Sequence, residues 1–172
     1  MLSKKMEKAF NDQINAELFS SYLYLSMSAY FTSANLPGFA HWMSIQVKEE
    51  NAHAMLMFNF VLERGGKIKL QSIAQPDFEW KNAIKVFEST LTHEQKVTGL
   101  INNLLSLAMQ EKDHASANFL QWFVSEQVEE EANATEILEQ LKIVEGKGHG
   151  LLLLDRELKT RVFVDPLQKP TA

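Results

Sequence analysis

The chain has 172 residues, 45 % of them hydrophobic, and a formal net charge of −5. That length builds one domain with a sizeable core, and the mild negative charge disfavours general binding of nucleic acid. The absence of cysteine excludes disulfides, zinc–thiolate sites, iron–sulfur clusters and thiol chemistry. No apolar run is long and uncharged enough for a transmembrane helix. The start, Met1 to Lys5, lacks the apolar stretch that follows the basic residues of a signal peptide, so the expected location is the cytoplasm. Only 4 Pro and 7 Gly suit long helices with few turns.

Taken in chain order, the apolar spacing predicts an all-α protein. A first helix over about 3–34 carries the stripe Phe10, Ile14, Glu17, Ser21, Tyr24, Ser28, Phe31, with alternating steps of three and four. Leu36-Pro37-Gly38 breaks it. A second helix over about 38–64 carries Phe39, Met43, Gln46, Glu50, His53, Met57 and Phe60, and Gly65-Gly66 ends it. The connection from about Gly65 to Lys81 is too long for a tight hairpin. Extended at ~3.3 Å per residue it reaches roughly 50 Å, whereas a helix of about 28 residues spans roughly 42 Å. It can therefore run the length of a bundle and leave the second and third helices parallel. Its residues Leu70, Ile73 and Phe78 are expected to pack against the bundle.

A third helix over about 82–112 carries Ile84, Phe87, Leu91, Glu94, Thr98, Ile101, Leu105 and Ala108. A fourth over about 115–144 carries Leu120, Val124, Gln127, Glu130, Ala134, Leu138 and Leu141. A short fifth, over about 151–161, opens with four leucines. The expected architecture is a four-helix bundle with one long crossover between helices 2 and 3 and a short fifth helix. It forms one domain over 1–164, followed by a surface or disordered tail over 165–172 with Pro166 and Pro170.

Each stripe carries a polar residue at the same depth. Glu17, Glu50, Glu94 and Gln127 lie about 12–14 residues from the start of their helices. Mid-height is the level that survives reversal of a helix, so packing brings the four together. No Lys or Arg lies on a stripe at that level, and carboxylates do not enter a dry core without compensation. Protons or metal ions must balance them. Glu50 and His53 are i,i+3, on one helix face, and Gln127 and Glu130 repeat the spacing. Oxygen ligands with one imidazole suit Fe(II), Mn(II) or Zn(II). Tyr24, two turns from Glu17 on its face, is placed to hydrogen-bond a ligand or donate an electron. Glu49, Glu126 and Glu129, with Glu130 shared, form a second group suited to a further cation. His41, His93, His114 and His149 read as surface or capping residues, and Trp122 and Phe123 as packing.

Single Glu residues on two helices with Glu-x-x-His-type pairs on two others are the ligand pattern of carboxylate-bridged di-iron bundles. The chain resembles the ferritins, specifically the bacterial non-haem type, from Met1 to about Val164. The most specific stretches are Asn15 to Tyr24, Glu49-Glu50-Asn51-Ala52-His53, and Asn118 to Gln127 with Glu129-Glu130. The resemblance implies one iron held by Glu17, Glu50 and His53, and another by Glu50, Glu94 and Glu130, with Glu50 bridging and Gln127 hydrogen-bonding nearby. It implies a third site at Glu49, Glu126, Glu129 and Glu130. It also implies oxidation of Fe(II) to Fe(III) by O2 or peroxide and storage of ferric mineral in a homo-oligomeric shell of about 24 subunits. The Leu151–Leu154 face of the fifth helix would meet its symmetry mates at a four-fold channel.

Haem is not expected: Asn51 stands where haem-bearing relatives carry a Met ligand, and the fourth helix lacks a second Glu-x-x-His. The rubredoxin-tailed relatives need cysteines. The DNA-protecting mini-ferritins lack the fifth helix and bind metal between subunits. Two other functions fit the same residues: a non-catalytic metal-binding bundle, and a di-metal oxygenase with an organic substrate. The first would show no O2-dependent turnover, and the second needs a substrate cavity beside the metals.

Overall fold

Five helices and no strand make up residues 1–167, the part of the chain that the computed structural model describes. They are α1 (Lys4–Ser33), α2 (Pro37–Glu63), α3 (Ala83–Gln110), α4 (His114–Ile143) and α5 (Gly148–Leu158). Local chemistry sets their ends. Ser3, Asn82 and Asp113 cap α1, α3 and α4, accepting from the amides of Met6, Lys85 and Ser116, and Pro37 opens α2 where its missing N–H costs nothing. Each of the four long helices stops at a residue with positive φ: Asn35, Gly65, Lys112 and Glu145. The next amide then bonds back five residues, as from Leu36 to Phe31 O (3.0 Å) and Gly66 to Val61 O (2.9 Å). The fifth helix begins three residues before the expected Leu151, at Gly148.

The connection between α2 and α3 lies along α1. Asn11 donates to Lys67 O (2.9 Å) and accepts from Lys69 N (2.6 Å); Gln71 donates to Asp12 (2.8 Å). Further along, Ser26 donates to Asp77 O (2.7 Å), and Tyr30 packs edge-on against Trp80 at 5.5 Å. The chain thus leaves the end of α2 beside the start of α1 and delivers α3 beside the end of α1. α2 and α3 are parallel, and each is antiparallel to its hairpin partner. Leu70, Ile73 and Phe78 do not pack on the bundle: all three are exposed in the subunit, and Pro76 and Trp80 turn inward instead. Polar side chains of α1 hold the segment through its backbone, which leaves these side chains facing outward.

Two apolar cores fill the bundle, one towards each end. One contains Tyr24, Met27 and Phe31 of α1, Phe39 and Met43 of α2, Phe87 of α3 and Leu138 and Leu141 of α4. The other contains Met6, Phe10 and Ile14 of α1, Met57 and Val61 of α2, Ile101 and Leu104 of α3 and Leu120 and Phe123 of α4. Glu17, Glu50, Glu94 and Gln127 fall between them on every helix. On α3 the buried face is turned relative to the expected stripe. Val86, Thr90, His93, Val97 and Leu104 are buried, while Ile84, Leu91 and Leu105 are only partly so. Facing both α1 and α4 requires a wider face than a single seam.

α5 closes the first of these ends. Leu154 and Leu158 are buried, whereas Leu152 and Leu153 are exposed, so only the latter pair of the expected leucine face is free to meet another subunit. Asp155 of α5 accepts from the first free amides of α2, at Gly38 (2.8 Å) and Phe39 (3.1 Å). The contact is so close that a Cβ at Gly38 would lie 1.5 Å from the Asp155 carbonyl oxygen. Of the tail, Asp165 and Pro166 are half-buried and Leu167 is exposed; the rest of it, 168–172 with Pro170, lies outside the described residues.

Asp155→Ala removes a carboxylate that satisfies two buried amides at a helix N-terminus. It is expected to destabilise the fold by about 1–3 kcal/mol, read as a lowered midpoint of thermal unfolding, with Gly38→Ala at least as damaging.

Candidate metal centre

The layer between the two cores holds buried Glu17, Glu50, His53, Glu94, Gln127 and Glu130. One ligand atom from each of Glu17, Glu50 and His53 lies within 4.8 Å of the others. α1 and α2 form this half of the layer, because Glu17 and Glu50 occupy the same depth on antiparallel neighbours. Glu94 and Gln127 meet from the second hairpin, where Gln127 Nε2 donates to Glu94 Oε2 (3.2 Å). The Tyr24 hydroxyl donates to Glu94 Oε1, linking α1 to α3. Gln46 donates to Glu130 Oε2 (2.9 Å), linking α2 to α4.

Burial dominates the electrostatics. It raises the carboxyl of Glu94 to about 7 against the hydrogen bonds from Tyr24 and Gln127. It raises Glu130 to about 8, with Glu94 adding repulsion and Arg161 opposing. Glu50 is pushed far up by burial and then by its three carboxylate neighbours. Glu17 is also raised by burial, though its hydrogen bonds from Gln13 and Glu50 oppose this. Burial also lowers His53 to about 4. Its Nδ1 lies 3.7 Å from Glu50 Oε2, but at neutral pH this is a contact to neutral imidazole, not an ion pair. Neutral imidazole is the form that binds metals. Trp122 and Phe123 stand edge-on to the ring at 5.5 and 5.9 Å and fix its orientation. Oxygen donors with one neutral imidazole, lacking any cation within the layer, match a hard or borderline divalent ion.

Glu49, Glu126, Glu129 and Glu130 line a cavity of about 430 Å³ together with His53. It lies on the side where α2 and α4 stand apart. Burial raises Glu49 to about 7, partly offset by Arg161, whose Nη2 is 2.7 Å from Glu49 Oε2. Glu126 is raised by burial and then by Glu129. Val162, Val164 and Pro166 form another wall.

Three supporting residues have no role in the sequence reading. Gln13 donates to Glu17 (2.8 Å); its i,i+4 spacing could have suggested this. Gln46 was visible only as a stripe residue. Arg161 lies beyond the four long helices, and no periodicity connects it to Glu49. The expectation that His93 is a surface or capping residue is wrong. It is buried, 2.8 Å from Ser20 Oγ, and packs on Phe19 and Tyr24. The turn of α3 that buries Glu94 also carries its neighbour inward against α1. Burial, with Lys96 contributing, lowers its pKa to about 4.

The shifts predict how the metal-free protein responds to pH. His53 and His93 titrate lower folded than unfolded, so they add stability as pH rises, but only up to about 6.5. Glu49, Glu94 and Glu130 titrate higher folded than unfolded, so the folded state binds more protons until about pH 8. Between about 6.5 and 8 only the carboxylates act, and stability falls. Thermal unfolding of metal-stripped protein is expected to show this fall, and a saturating divalent ion to abolish it.

No helix among the described residues is long and apolar enough to cross a membrane. The family profile described as "Ferritin-like domain" matches residues 7–144. The chain is 42 % identical over 161 residues to the bacterial non-heme ferritin of Bacteroides fragilis, covering 94 % of this chain and 100 % of that one. It is 36 % identical over 163 residues to the bacterial non-heme ferritin of Staphylococcus aureus, covering 95 % and 98 %. An open pore ferritin from Archaeoglobus fulgidus superimposes with a TM-score of 0.93 at 51 % identity, covering 94 % and 100 %. With its bundle, its crossover and its buried carboxylate layer, the chain belongs to the ferritin family.

Proposed function

We propose that the protein stores iron and oxidises it on the way in, with Fe(II) as substrate at a centre inside each subunit. One observation carries this reading: Glu17, Glu50 and His53 converge within 4.8 Å in a dry layer that also buries Glu94 and Glu130. In this reading Glu17, Glu50 and His53 take one ion. Glu50, Glu94 and Glu130 take the other, with Glu50 shared. Gln127 and Tyr24 keep Glu94 oriented through hydrogen bonds, and Gln13 and Gln46 do the same for Glu17 and Glu130. Such supporting groups tune a metal site as much as its ligands do.

The chemistry balances on two electrons. Two Fe(II) ions become Fe(III); the electrons and two protons convert O2 to hydrogen peroxide, or hydrogen peroxide to two waters. Binding releases the protons that the raised carboxyls hold, and Tyr24 stands where it can pass a proton or an electron. Glu49, Glu126, Glu129 and Glu130 form a third cation position at the mouth between α2 and α4. Asn51, next to the bridging carboxylate, is engaged with Ser21 Oγ (2.7 Å) and Val47 O (2.8 Å), and we assign no haem. The acidic lining of the adjoining cavity suits a cation better than an organic substrate. The functional unit is one domain over 1–164, assembled with its copies into a closed shell of about 24 subunits, and soluble in the cytoplasm.

Glu50→Ala and His53→Ala are each expected to slow aerobic Fe(II) oxidation by at least ~10–100-fold, the loss that even supporting groups of metal sites produce. Stopped-flow absorbance checks this; wild-type rates in both variants would refute the assignment. Native mass and aerobic iron loading test storage, and a monomer or dimer that forms no mineral core would overturn it.

A further inference from the structure

Among the described residues, Arg161 is the one permanently charged cation in the wall of the acidic cavity, which it shares with Glu49, Glu126, Glu129 and Glu130. Its position is built rather than incidental. The backbone carbonyl is 2.8 Å from His41 Nε2, which pins the chain just after α5. The guanidinium lies over the ring of Trp42, 4.5 Å from its centroid, and Nη2 binds Glu49 Oε2 at 2.7 Å. Nη1 is buried and has no hydrogen-bond partner among the described residues. Stacking on an indole face holds a guanidinium independently of its carboxylate partner.

We infer that Arg161 is a tethered counter-ion that occupies Glu49 and must release it before a metal ion can use that carboxylate. The inference rests on the reading of the layer as an iron-oxidising centre. Arg161 then acts as a positioning residue for the third cation position. It keeps Glu49 paired while the cavity is metal-free, and competes with each cation moving between the di-metal layer and the α2–α4 mouth. Because Trp42 keeps the guanidinium near the mouth after release, the competition is rapid and reversible. Its effect is to make the third position weak, a place of passage rather than retention.

The test is anaerobic calorimetric titration of the full-length protein with Zn(II), a redox-inert probe. Removing one positive charge next to the ligands in Arg161→Gln is expected to tighten the third ion roughly tenfold and to change the first two much less, through Glu130 alone. Arg161→Lys, which keeps the charge, is expected to stay near wild type. The gain should vanish in Arg161→Gln combined with Glu49→Gln. An unchanged third affinity in Arg161→Gln, with the pair still bound, overturns this inference alone. So does an equal gain in Arg161→Lys, which would make the effect one of shape. Failure of the unaltered protein to bind the first pair overturns the metal-centre reading itself, and this inference with it. A zinc-soaked crystal of the unaltered protein tests the same point without substitution: an ion on Glu49 with Arg161 swung away supports it, and an ion on Glu49 with the 2.7 Å pair intact refutes it.

Discussion

Several carboxyl groups share one buried layer, and among the described residues no lysine or arginine shares it with them. Everything else in the bundle accommodates that constraint. Isolated buried carboxylates would cost far more than a fold of this size can supply. In the metal-free protein, protons do the balancing. Burial and its carboxylate neighbours favour the protonated form of Glu50, and burial raises Glu17; Glu94 and Glu130 titrate near or above neutrality, and His53 stays neutral. In the function proposed above, cations replacing those protons would meet side chains that are already assembled. Affinity therefore depends on how many protons must leave.

Rigidity comes from the cores above and below the layer. Phe31, Phe39 and Phe87 pack together on one side, with ring centroids 5.0–6.2 Å apart. Phe10, Phe60, Phe119 and Phe123 pack on the other. Close-packed interiors resist displacement, so the helices cannot slide to bring solvent to the carboxyls. The layer is nevertheless unequal. On its α1–α3 side Tyr24, His93 and Phe19 pack together. Its α2–α4 side stands open to the acidic cavity, where Arg161 and the residues after it form a wall.

The four long helices, their ends within about three residues, the parallel setting of α2 and α3, and the level of the polar layer are all legible in the sequence. Each follows from short-range chemistry: apolar steps of three and four, capping residues, left-handed stops, and a connection long enough to span the bundle. The depth of Glu17, Glu50, Glu94 and Gln127 follows too, because equal distance along equal helices needs no knowledge of packing angle. Membership of the ferritin family could be read from the same residues.

Tertiary structure decided what depends on rotation and on distant partners. Periodicity locates a helical face to within one residue, roughly 100° of turn, and α3 fell within that uncertainty. His93 became buried and Leu91 half-exposed because α3 must satisfy α1 as well as α4. The crossover turned Leu70, Ile73 and Phe78 outward because α1 binds its backbone rather than its apolar side chains. Asp155 on Gly38 and Arg161 on Glu49 join residues more than a hundred positions apart. Sequence by itself determined that a charged layer lies inside a helical bundle; only the packed chain decided which groups orient it and where it opens, because such contacts are made in space by residues that share no local pattern.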